Sequence, residues 1–151
     1  MLKSFIKFYK PYKKLFFLDL LVATIASVCE LIYPMLTRTL INETIPNRNI
    51  RTIGVFAVTL ILLYVIKAAC TYFMQYWGHV VGVRMQADMR RELFNHLERL
   101  PNKYFDNTKT GEIMSRMIND LMDISELAHH GPENIFISAI MFIGSFIILA
   151  G

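Results

Sequence analysis

Three apolar runs, each close to the length that crosses a bilayer, stand between strongly charged stretches, and this segregation constrains the fold more than any other feature. A soluble domain spreads its apolar residues along amphipathic elements around one core. Runs of spanning length point instead to a membrane. The 54% hydrophobic content lies only modestly above the soluble average, so distribution decides the class rather than amount. The pattern predicts an all-α fold: polytopic membrane helices, about three spans with the third incomplete, carrying long helical extensions into the cytoplasm.

The organisation reads as six segments. Residues 1–14 form an amphipathic surface piece, with five lysines among Phe5, Ile6, Phe8 and Tyr9, and Pro11 separates it from the first span. That span, residues 15–41, is longer than the ~20 residues a ~30 Å core needs, and Pro34 bends its outer end. A cleaved signal peptide is not expected: Asp19 interrupts the apolar region, Val28 precedes Cys29, and apolar character continues to Ile41. Residues 42–52 are a polar outer turn containing Pro46 and Asn residues.

A second helix is predicted over 53–100. Beyond Val83 its Met89, Leu93, Leu97 and Leu100 keep helical spacing among charged neighbours, so it leaves the bilayer as an amphipathic rod and stops at Pro101. Its length of ~72 Å is more than twice a bilayer core. Residues 101–133 are a cytoplasmic loop. Within it Thr110 is the expected helix cap, and Ile113, Met117, Leu121, Ile124 and Ala128 form one stripe. Gly131-Pro132 is read as a kink or a restart. The third span, 134–151, covers only ~25 Å at its apolar part and has no polar flank, as expected of a chain cut inside a span.

Orientation follows from the basic residues: five in the N-terminal arm, seven from Arg84 to Arg116, three from Arg38 to Arg51. The positive-inside rule puts the arm and the long loop in the cytoplasm of a multi-pass plasma-membrane protein.

Charges inside the spans are functional candidates. Asp19 lies ~6 Å from the start of its span and Lys67 ~21 Å from Ile53, a similar depth on antiparallel helices. Two readings stand: an Asp19–Lys67 pair, or Lys67 snorkelling to the inner headgroups. Glu30, with no evident partner, is the first candidate for substrate contact. Cys29 and Cys70 read as small buried residues. Gly78-His79-Val80-Val81-Gly82 is a small-xxx-small pattern suited to close helix packing. Tyr72, Phe73, Tyr76 and Trp77 suit an interfacial belt or a cavity wall. His79, His96, His129 and His130 form no ligand-like group with acids or cysteines, and the last two are expected to diverge towards solvent. No catalytic, cofactor-binding or metal-ligating set is assigned. None of the seven glycines is followed by lysine, so no phosphate-binding loop is present and the chain is not expected to be an enzyme. Nucleic acid is not an expected partner.

The loop then becomes specific. Leu93-Phe94-Asn95-His96-Leu97, Leu100-Pro101, Tyr104-Phe105-Asp106, Thr110-Gly111-Glu112-Ile113-Met114-Ser115-Arg116 and Asn119-Asp120 together resemble the first cytoplasmic loop of the ATP-binding cassette exporters. Tyr33-Pro34, Leu40-Ile41-Asn42-Glu43 and Ile45-Pro46 resemble the outer end of that family's first span, with Asn42 where the family often has Asp. The resemblance runs through essentially the whole chain, as the N-terminal part of a transmembrane domain.

The resemblance implies that Thr110, Gly111, Glu112, Ile113, Met114, Ser115 and Arg116 form a coupling helix seated on nucleotide-binding domains. Gly111 would allow close backbone approach, Ile113 and Met114 would fill a groove, and Glu112 and Arg116 would meet polar groups. ATP and magnesium would bind those partner domains, not this chain. A second transmembrane half, membrane lipid and a transported small molecule, lipid or peptide are the other implied partners. The competing class is a membrane-anchored sensor or scaffold whose cytoplasmic hairpin binds a partner without moving solute.

Overall fold

The computed structural model describes residues 7–107 and 109–150, with Asp106 and Asn107 by backbone alone. The first six residues of the expected surface segment, the Asp106 side chain of the loop signature and the terminal Gly151 lie outside that set. Every regular element among the described residues is helical: α1 (Lys13–Thr39), α2 (Ile50–Leu97), α3 (Asn102–Asn107), α4 (Thr110–Ser115) and α5 (Leu121–Ala150). A 3₁₀ turn at Lys10–Tyr12, built around Pro11, leads into α1. A π-helical turn at Leu40–Thr44 follows α1, and another at Arg116–Asp120 joins α4 to α5.

Local chemistry sets these bounds. α2 begins at Ile50 rather than Ile53, because the Asn49 side chain accepts from the Thr52 amide at 3.3 Å and caps the helix. It ends at Leu97 rather than Leu100. Arg99 and Leu100 donate to the carbonyls of His96 and Leu97 at 3.1 and 3.0 Å, a tightened final turn ahead of Pro101, whose ring disfavours helical backbone at Leu100. Between α1 and α2, Arg48 takes a left-handed conformation (φ 50°) as the chain reverses. Gly131-Pro132 neither breaks nor restarts the helix; α5 passes through both.

Three helical stretches, Lys7–Thr44, Ile50–Leu97 and Thr110–Ala150, are long and apolar enough to cross a membrane. In α2 none of the most apolar window is buried, and Val55, Val58, Ile61, Leu62 and Val65 all stand exposed. A face of this kind needs an apolar solvent.

The chain divides into two compact units, to which the long helices each contribute. One comprises residues 7–17 and 77–132. Its core is Val81, Met85 and Met89 of α2 with Leu121 and Ala128 of α5, flanked by Phe8, Tyr9, Tyr12 and Leu15. The apolar side chains of residues 8–12 therefore pack on protein. Polar groups of the same segment reach α2: Tyr12 donates to Asp88 Oδ2 at 2.8 Å, and Lys7 Nζ lies 3.2 Å from Glu92. The Tyr9 hydroxyl donates to the carbonyl of Ala128.

The buried stripe of α5 departs from the expected one. Ser125 is buried and Ile124 is 39% exposed. Both follow Leu121 at helical spacing, and the smaller residue faces α2, where Ser125 O lies 3.8 Å from the position a Cβ on Gly82 would take.

The other unit comprises residues 18–76 and 133–150. Ala23 and Ala26 of α1 and Met74 of α2 are its buried core, with Val22, Cys70 and Ile137 against them. Gly144 of α5 admits Leu31: a Cβ there would fall 2.3 Å from Leu31 Cδ1. Cys29 is buried, Cys70 half-buried, and both are free thiols.

Candidate functional site

The segment singled out by its sequence, Thr110–Arg116, opens one unbroken run of helical backbone rather than forming a separate helix. α4 starts after an extended Lys109, whose carbonyl accepts from the amides of Glu112 and Ile113 at 2.9 and 3.3 Å. Lys109, not Thr110, is therefore the capping residue, and it caps through backbone alone. Arg116 continues helical backbone into the π turn.

The side chains of this tip divide into two sets. Ile113 is half-buried and Met117 is buried, which anchors the tip's inner face. Gly111, Glu112, Met114, Ser115 and Arg116 are exposed, Met114 by 51%. Nothing lies within 4 Å of where a Cβ on Gly111 would be, so its backbone is open to approach from outside. Glu112 and Arg116 close on each other, Oε1 to Nη2 at 2.8 Å, and Asn119 donates to Ser115 Oγ at 3.2 Å. An exposed methionine and a bare glycine flanked by a self-neutralised ion pair suit a protein contact.

The charges inside the apolar helices are arranged differently from the expectation. Lys67 Nζ lies 3.2 Å from Glu30 Oε2, not beside Asp19. Counting depth from assumed span ends placed Lys67 level with Asp19. α1 is longer than a bilayer core, so its first residue marks no membrane face, and the level at which Lys67 meets α1 is eleven residues further on. Glu30 accordingly has the partner its sequence neighbourhood did not suggest. A cavity of about 330 Å³ opens beside the pair, lined also by Cys29, Tyr33, Leu63 and Tyr64. The ion pair therefore stands at the wall of a largely apolar cavity. Asp19 is buried at 4% exposure in α1. The Tyr72 and Tyr76 rings stack at 6.4 Å on an exposed face of α2.

The histidines also depart from expectation. His129 is buried, not solvent-facing, and its ring lies 4.6 Å from that of His130. Its seat is Gly78: a Cβ there would fall 1.8 Å from His129 Nε2. His79, next to that glycine, brings its ring to 5.6 Å from His130 and 6.2 Å from His129. The glycine pattern was legible in the sequence; that it accommodates an imidazole was not.

Comparison with known proteins agrees with this architecture. Residues 16–150 match the family described as ABC transporter transmembrane region. The uncharacterized ABC transporter ATP-binding protein YwjA of Bacillus subtilis is 42% identical over 97% of this chain, which covers 25% of that protein. A second uncharacterized ABC transporter ATP-binding protein of B. subtilis, YknU, is 30% identical over 82% of this chain and 21% of its own length. YgaD, provisionally named a multidrug export ATP-binding/permease protein in the same organism, is 26% identical over 90% of the chain and 24% of its own length. The chain thus spans about a quarter of the curated relatives it matches. With three spanning helices, a multi-pass membrane topology and a family match over nearly its whole length, the chain belongs to the ABC transporter transmembrane region family.

Proposed function

We propose that this chain is the N-terminal part of the membrane domain of an ATP-driven exporter, lining part of the substrate pathway and transmitting the motion of ATPase domains to it. The single observation that carries the reading is the exposed tip Thr110–Ser115, which runs without a break in helical backbone into α5. A displacement applied at Met114 or Gly111 would pass along a continuous hydrogen-bonded helix, because a helix resists axial deformation far better than a loop does.

In this reading the tip seats on a nucleotide-binding domain, and ATP with magnesium binds that partner. Hydrolysis belongs to the partner domains; this region contributes the path. The N-terminus and the tip face the cytoplasm, as the basic residues favour. A second membrane half completes the pathway. The cavity at Glu30 and Lys67 supports a role in contacting a transported small molecule, lipid or peptide, since a charge pair inside apolar helices is retained at a cost. Family membership and the printed names of the relatives favour a transporter over a passive scaffold.

The test is cross-linking in native membranes. Met114→Cys, in a background with Cys29→Ala and Cys70→Ala, is expected to cross-link to an ATPase domain with a yield that changes on adding ATP. No cross-link with or without nucleotide would remove the reading.

A further inference from the structure

We propose that His79, His129 and His130 form a binding site for a late first-row divalent metal ion, with Zn²⁺ as the fitting probe. Three imidazoles from two helices converge: centroid separations are 4.6 Å for His129–His130, 5.6 Å for His79–His130 and 6.2 Å for His79–His129. Two imidazoles bound to one tetrahedral metal at ~2.0–2.1 Å hold their centroids ~5 Å apart. The three observed separations bracket that value. The ring nitrogens of His129 and His130 available as ligands already lie within 4.8 Å of one another.

The surroundings supply what such a site requires. His130 Nε2 lies 3.4 Å from a carboxylate oxygen of Glu126, one helical turn away. A carboxylate behind a histidine orients the ring and raises its basicity as a ligand. His129 is 6% exposed and held by its seat at Gly78, whereas His79 is exposed, giving an ion a route from solvent. Imidazole donors favour zinc, copper, nickel and cobalt over magnesium or calcium. Because His79 belongs to α2 and the other two to α5, a bound ion would tie these helices together.

The test uses the full chain in nanodiscs, titrated calorimetrically with Zn²⁺ and followed by the visible spectrum with Co²⁺. One saturable site per chain is expected, with the absorption of tetrahedral Co²⁺. His79→Ala and His130→Ala should each weaken Zn²⁺ binding roughly tenfold or more, and Glu126→Gln by a smaller factor. His96→Ala, outside the cluster, should leave binding unchanged. His79 is exposed, so its replacement does not disturb the packed interior. Absence of saturable binding by the unaltered chain would overturn the proposal, as would unchanged affinity in the His79→Ala/His130→Ala double variant.

Discussion

Tyr9 compensates for Pro132. The proline has no amide hydrogen, so the carbonyl four residues earlier in α5, that of Ala128, lacks its helical donor; the Tyr9 hydroxyl donates to it instead. This explains how α5 continues through a Gly-Pro pair that reads as a break. Tyr9→Phe should cost about 1 kcal/mol of stability by leaving a buried carbonyl unmet. Pro132→Ala restores the amide donor, so Tyr9→Phe in that background should cost much less. Thermal unfolding of the four proteins of this cycle, in one detergent, measures the coupling.

Gly78 and Gly82 look equivalent in sequence and should behave oppositely. A methyl group on Gly78 would fall 1.8 and 2.0 Å from two ring atoms of His129, whereas one on Gly82 would meet nothing closer than 3.8 Å. Gly78→Ala should destabilise by roughly 1–3 kcal/mol as the ring is driven from its seat. Gly82→Ala should be neutral or stabilise by up to about 1 kcal/mol, because glycine is costly inside a helix. Melting temperatures of the two variants decide it; equal losses would contradict the packing described.

Glu30 and Lys67 should depend on each other more than on their charge alone. Glu30→Gln removes the partner of Lys67 and is expected to cost about 1 kcal/mol, given that both side chains are partly exposed. Glu30→Gln combined with Lys67→Met should recover part of that loss, because no lone charge remains. If the adjoining cavity contacts substrate, transport selectivity should change in both variants even where stability is recovered.

Gly111→Leu offers a separation of coupling from folding. Its Cβ would point into open space, so unfolding should be unchanged or slightly harder. Transport by the whole protein should nevertheless fall several-fold, since the substitution puts bulk where a partner backbone would approach. A variant that is stable and fully active would argue against contact at this tip.

The helical architecture was legible in the chain because apolar runs and charge breaks are one-dimensional signals. The helical character of residues 110–116 was also legible, since those residues are contiguous, although the cap fell on Lys109 rather than Thr110. What escaped were pairings that depend on how one helix meets another. Lys67 finds Glu30 rather than Asp19 because the register of two antiparallel helices is set by packing around Ala23, Ala26 and Met74, not by distance from an assumed membrane edge. Ser125 rather than Ile124 turns inward because it faces Gly82. His129 looked solvent-facing because adjacent helical residues diverge; a bare glycine on the opposing helix made room for it. Tyr9 carried no mark of its partner, although a proline inside an apolar helix implies that some donor must exist.

The π turn at Arg116–Asp120 holds one more residue per turn than the helix on either side of it. Each helical residue accounts for about 100° of azimuth, so the side of the tip that Met114 presents is indexed separately from the side on which Leu121 and Ala128 are packed. Removing a single residue there would swing the outer segment to a new bearing while the packed face beyond it kept its own. The turn thus sets the bearing of the tip's exposed side chains against that packed face, with Met117 as the turn's own buried anchor.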